Sequence, residues 1–208
     1  MIDSVRSPGD EVWTQLSASY EAVAHKYEAQ FADEMADKPR DRELLSSFAE
    51  AVTDPVLEVG CGPGQVGAFV RGCGRAVYGF DFSSQMTKLA AVRLDGAVVG
   101  DLHSLPVGSA QLGGLLALYS FIHVRRQGLP DVLREVHRVL RPEGRVLFSV
   151  HEGEGVLGRD RFLDEPVPFI ATLYMLDELV AVCRDTGLTV SRAERRLPYS
   201  SESTVRLR

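Results

Sequence analysis

A short strand that runs straight into a glycine cluster constrains this chain more than any other feature. Val56-Leu57-Glu58-Val59 is followed by Gly60-Cys61-Gly62-Pro63-Gly64, and Val66 to Val70 then opens a helix. Glycine takes positive φ without a Cβ penalty and lets a ligand approach the backbone closely. The helix that follows aims its free N–H groups into the turn, which suits a carboxylate or phosphate. A tight strand-to-helix connection can need such a turn for packing alone, so the cluster gains meaning from its partners.

Those partners lie downstream. A second strand over residues 76–80 ends at Asp81, seventeen residues after Gly64. A third, Ala97-Val98-Val99, ends near Asp101. A carboxylate at the first position can accept both hydroxyls of a ribose. One at the second can accept from an exocyclic amine. Residues 112–119 form a fourth strand, apolar throughout and so expected to be buried on both faces. A helix over 130–140 leads through Arg141-Pro142-Glu143-Gly144 into a fifth strand at 145–150. A polar, glycine-rich loop covers 152–160, and a helix at about 176–186 stops at Gly187. Strands are expected at 188–192 and 204–207.

Upstream, Trp13, Leu16, Tyr20, Val23, Ala24, Tyr27 and Phe31 recur at steps of three and four. This predicts one amphipathic helix over 11–35. Leu44, Leu45, Phe48 and Val52 mark a second helix after Pro39. The whole pattern predicts a doubly wound, Rossmann-like α/β fold: a mostly parallel seven-stranded sheet with helices on both faces and an N-terminal helical lid. One domain is expected over 1–208, with a helical cap at 1–52, a cofactor-binding core at 53–151, and an acceptor-side segment with C-terminal strands at 152–208. Ligands of such sheets sit beyond the carboxyl ends of the strands.

Gly62, Gly64 and Gly67 also satisfy G-x-G-x-x-G, which keeps an NAD(P)-binding oxidoreductase open. Three features oppose it. Glu58 charges a strand that is normally apolar in dinucleotide folds, Pro63 removes an N–H from the turn, and Asp101 has no duty there.

The ordered segments resemble the class I S-adenosylmethionine-dependent methyltransferases. Glu58 to Gly64 (EVGCGPG) is similar to the family's motif I, Gly79 to Met86 (GFDFSSQM) to its second-strand acidic motif, and Gly100 to Pro106 (GDLHSLP) to its adenine-contacting segment. Leu115 to Val124 resembles the fourth strand and its loop, and Leu133 to Gly144 the helix and turn before the fifth. The similarity runs from about Tyr20 to Tyr199 and is closest to the small bacterial type 11 and type 25 branch. The chain departs from many relatives at Gly113-Gly114, where they carry an acidic residue, and the family's last strand usually continues further than Arg208, so a short seventh strand is expected.

The resemblance implies S-adenosyl-L-methionine as cofactor. Gly60, Gly62 and Gly64, in the motif with Glu58 and Cys61, would line its methionine part. Asp81 would hold the ribose, and Phe82 and Met86 would pack on the adenine. Asp101 and the Leu102 amide would read the adenine edge. Tyr119 would lie near the sulfonium, and Tyr20 and Tyr27 would close over the cofactor.

A hydroxyl acceptor must lose a proton, which a nearby histidine can take. His123 follows the fourth strand and His151 the fifth, so these two are the catalytic candidates. Phe162, Pro166, Pro168, Phe169 and Tyr174 are placed to line an acceptor pocket. The acceptor is expected to be a small molecule, methylated on O, N or C. An S-adenosylmethionine-binding protein without transferase activity is the other reading.

Charge limits the partners. With 23 Lys and Arg against 29 Asp and Glu, the formal charge is −6, which repels a phosphate backbone. Arg192, Arg195, Arg196, Arg206 and Arg208 read as a solvated edge. Leu118-Tyr119-Ser120-Phe121 replaces the Pro-Pro-aromatic motif of amino-methylating DNA enzymes, and no Pro-Cys pair occurs. No nucleic acid and no membrane partner is expected. The three cysteines lack metal spacing, and the polar N-terminus lacks an apolar leader, so no metal, a cytoplasmic location and a monomer or homodimer are expected.

Overall fold

The computed structural model describes the backbone of residues 8–199 and the side chains of residues 15–199. Two helices precede the sheet: α1 (Pro8–Phe31) and, after a 3-10 turn at Glu34–Asp37, α2 (Pro39–Ala51). The alternating core follows as β1 (Val56–Val59), α3 (Gln65–Gly72), β2 (Val77–Asp81), α4 (Ser84–Ala90) and β3 (Ala97–Val99). It continues through β4 (Leu112–Leu118), α5 (Leu129–Val139) and β5 (Leu140–Ser149). Then come β6 (Val156–Arg159), β7 (Phe169–Thr172) and α6 (Leu176–Asp185).

The five strands β3-β2-β1-β4-β5 form one parallel sheet, with Val56 beside both Val77 and Gly114. The order reverses between β1 and β4, so the carboxyl ends of those strands open the crevice where such sheets bind ligands. On one face, Leu45 and Phe48 of α2 and Val66 and Val70 of α3 pack on the sheet. On the other, Leu133 and Val136 of α5 and Leu179 of α6 do so. Gly114 belongs to this packing, since a Cβ there would come within 2.8 Å of the Phe48 ring. The close seat of α2 accounts for Gly114, and the Thr53 backbone against which a Cβ would collide accounts for Gly113.

Among the described residues the sheet has five strands, against the seven expected. Residues 188–192 form no strand: the Leu188 N–H bonds back to the Cys183 carbonyl at 2.9 Å, and Leu188 and Val190 pack against the core from an irregular segment. The expected strand at 204–207 and the side chain of Trp13 lie outside the described residues. Part of the glycine-rich 152–160 segment is a strand instead, since β6 pairs antiparallel with β7 in a separate ribbon.

Candidate active site

The turn after β1 is tied to the end of β2. The N–H groups of Gly60 and Cys61 both donate to the Phe80 carbonyl, at 2.7 and 3.1 Å. Gly60, Gly62 and Gly64 have φ of +66°, +51° and +85°, a path that side chains with a Cβ resist. A Cβ on Gly60 would collide with Ser120, whereas one on Gly62 would meet only the Tyr27 ring, at 3.8 Å. The second glycine therefore faces the open side of the turn, roofed by α1.

Two carboxylates organise this turn. Asp81 accepts from the Gly62 N–H at 2.9 Å and the Ser83 N–H at 2.8 Å, and burial raises its pKa to about 6. Glu58 accepts from the Gly67 N–H of α3 at 2.9 Å, and burial raises its pKa to about 8. Glu58 thus anchors the helix behind the turn. Cys61 is buried beside them, its thiol pushed up by burial and by both carboxylates.

A second cluster centres on Tyr20. Its ring lies 5.4 Å from Phe82, 5.3 Å from His123, 5.1 Å from Phe162 and 6.2 Å from Tyr27. Phe169 of β7 completes it, 4.9 Å from Phe162 and 5.6 Å from His123. Four segments far apart in sequence therefore meet at the carboxyl ends of β2 and β4. His123 Nδ1 lies 2.8 Å from the Ile170 carbonyl, which can only accept, so Nδ1 carries the proton. Nε2 is left to accept from the Tyr20 hydroxyl, also at 2.8 Å. Burial depresses the His123 pKa to about 4, keeping the ring neutral at ordinary pH.

Tyr119 lies just past β4 with φ of +55°, an uncommon conformation for a ring-bearing residue. Its ring is 5.0 Å from His151, and Arg196 donates to its hydroxyl at 2.7 Å. Arg196 also bonds the buried Asp41 of α2. Ser120, buried beside Gly60, has a hydroxyl without a hydrogen-bond partner.

The structure thus gathers Tyr20, Tyr27, Phe82 and His123 around the glycine turn and Asp81, with Tyr119 and His151 forming a neighbouring pair. Other expected site residues stand apart. Met86 lies in the first turn of α4 with its side chain fully buried, its N–H donating to the capping Ser83 hydroxyl. Asp101 is exposed and held by the backbone and ring of His103, at 2.9 and 2.7 Å. Leu102 is half-buried against the core. Sequence reasoning missed Glu21, whose carboxylate binds the N–H groups of Ser84 and Gln85 and so docks α1 on α4. It also missed Ser120 and Arg196. The latter carries no local signal, because it arrives from an irregular segment. A surface depression lined by Asp54, Arg71, Arg75 and Asp95 lies at the opposite, amino ends of the strands, away from this chemistry.

Among the described residues, no cluster of His, Cys, Asp or Glu could hold a metal ion, and no helix is long and apolar enough to cross a membrane.

Comparison with known proteins agrees with the geometry. A family described as "Methyltransferase domain" matches residues 57–148, from β1 to β5. An uncharacterized methyltransferase of Oceanobacillus iheyensis is 28% identical over 142 residues, covering 67% of this chain. The chain in turn spans 60% of that relative's length. The DhpI–SAH complex superposes with a TM-score of 0.69 at 22% identity, covering 85% of this chain and 87% of that one. A Burkholderia thailandensis 1,6-didemethyltoxoflavin-N1-methyltransferase, bound to 1,6-didemethyltoxoflavin and S-adenosylhomocysteine, gives 0.63 at 22% identity, covering 89% and 81%. With its glycine turn and its strand-end carboxylate, the segment from β1 to β5 is thus similar to a methyltransferase domain.

Proposed function

We propose that the protein transfers a methyl group from S-adenosylmethionine to a small organic acceptor with an apolar, planar face. The observation that carries this reading is the aromatic cluster around Tyr20, which joins α1, the end of β2, the end of β4 and the β6–β7 ribbon. Such a surface suits a flat ligand and excludes water, and the N1-methyltransferase neighbour is compatible with an acceptor of that kind.

The cofactor supplies a methyl group already activated on a sulfonium. The protein's task is then alignment and dryness more than bond activation. Gly60, Gly62 and Gly64 let the backbone approach the cofactor, while Glu58 and Cys61 hold the turn from behind. Asp81 accepts from the ribose. Phe82 covers the adenine, Met86 supports that wall from beneath, and Leu102 borders it. Asp101 reads the adenine edge only after leaving His103. Tyr119 flanks the reacting centre, and Tyr20 and Tyr27 close the roof. His123 takes a proton at Nε2 through the Tyr20 hydroxyl, with His151 as the second proton-handling group. With its pKa near 4, His123 is a weak base. An acceptor whose nucleophilic lone pair needs no prior deprotonation fits best.

The test is a transfer screen with methyl-labelled S-adenosylmethionine against flat heterocycles, aliphatic alcohols, RNA and protein. Label should enter the heterocycles and be lost in Asp81→Ala. Label in RNA or protein alone would overturn the acceptor assignment.

A further inference from the structure

Beside the glycine turn lies a buried polar group that the reading above leaves unused. Gln65 opens α3 directly after Gly64 and is only 9% exposed. Its Nε2 donates to Glu34 Oε1 at 2.8 Å, and its Oε1 has no hydrogen-bond partner. Glu34 Oε2 in turn accepts from Lys38 Nζ at 2.7 Å, and Lys38 is 7% exposed. Acid and base come from the short turn between α1 and α2, facing the amino end of α3. A buried acceptor left unpaired is costly. A buried ion pair is also a poor substitute for apolar packing. Folding alone does not account for either.

The geometry points to Glu34, Lys38 and Gln65 as the receptor for the zwitterionic amino-acid head of the cofactor. The inference rests on the S-adenosylmethionine reading and extends it to named residues. The head carries an α-ammonium with three donors and an α-carboxylate. Gln65 Oε1 and the Glu34 carboxylate can accept from the ammonium. Lys38 and the positive end of α3 can receive the carboxylate. Ligand head and receptor pair are each net neutral, so their charges can alternate without leaving one unbalanced. The field of Glu34 is felt at the turn, since it helps raise the pKa of Tyr27, whose ring lies over Gly62, and of Glu58.

The experiment compares two ligands by calorimetry: S-adenosylhomocysteine, and 5′-methylthioadenosine, the nucleoside thioether that lacks the amino-acid head. The native protein should prefer the former by roughly 100-fold, the scale of charge-assisted hydrogen bonds. The double variant Glu34→Gln/Lys38→Met removes both charges together and leaves no orphan ion. It should bring the preference below about tenfold while changing methylthioadenosine affinity little. Gln65→Met, a milder change, should cost about tenfold for S-adenosylhomocysteine only, and it decides the matter if the double variant does not fold. Equal losses for both ligands, or an unchanged preference, would overturn the assignment. A native protein that binds both equally also overturns it but spares the cofactor reading. One that binds neither removes the cofactor reading itself.

Discussion

Glu58 in β1 and Asp81 at the end of the neighbouring β2 are carboxylates only 3% and 6% exposed. Each is tolerated because backbone N–H groups meet it, yet burial dominates and raises both pKa values, to about 8 and about 6. A carboxyl whose folded pKa exceeds its unfolded one binds protons more tightly when folded. For Glu58, stability therefore falls as pH rises from about 4.5 through 8, by about 1.4 kcal/mol per unit at most. Glu58→Gln retains an oxygen for the Gly67 N–H but cannot ionise. Urea unfolding should show this variant gaining on the native protein between pH 5 and pH 8. The same difference at both pH values would mean that Glu58 does not titrate as its burial implies. The sequence marked both acids, because each stands at a strand end or in the motif. It gave no hint that Glu58 reaches forward to a helix N–H rather than to the ligand side, since that partner exists only once α3 packs behind the turn.

At the scale of elements, α1 differs from the other helices. Its buried apolar residues Leu16, Val23 and Ala24 belong to neither main core cluster. It is seated by the Tyr20 ring against Phe82, His123 and Phe162 and by polar ties: Glu21 to the start of α4, Glu28 to Arg93 at 2.8 Å, and Lys26 to Glu165. Arg93 also donates to the Pro63 carbonyl at 3.1 Å, so the same side chain joins helix and glycine turn. An element seated this way can open without disturbing the strands. Amide hydrogen exchange over Tyr20 to Phe31 should slow when S-adenosylhomocysteine binds. Equal exchange with and without ligand would make α1 a fixed wall, and Tyr20 and Tyr27 would then not close over anything. The stripe that defines α1 was plain in the sequence because its period spans several turns. The β6–β7 ribbon was not, since each strand has four residues and their pairing spans a connection containing Pro166 and Pro168. The alternation of Leu188 and Val190 misled in the opposite direction. Apolar side chains at steps of two can pack on a core without any neighbouring strand to pair with.

At the scale of the whole molecule, the proposed cofactor would touch the turns after β1, β2 and β4 and the underside of α1 at once. None of these surfaces exists in the unfolded chain, so such a ligand binds the folded state alone and must raise its stability. At about 100 times its dissociation constant, S-adenosylhomocysteine should add about 2.7 kcal/mol. For a domain near 200 residues this moves the melting temperature by roughly 5–10 °C. NADH at the same concentration should leave it unchanged, because Glu58 and Pro63 spoil the turn for a pyrophosphate. Asp81→Ala should fold, lose about 1–3 kcal/mol of binding, and show a correspondingly smaller shift at the same ligand concentration. Differential scanning calorimetry on the three combinations separates the cases. A shift with NADH but not with S-adenosylhomocysteine would return the glycine turn to dinucleotide binding. A full shift in the Asp81 variant would leave the cofactor in place but take the ribose away from Asp81.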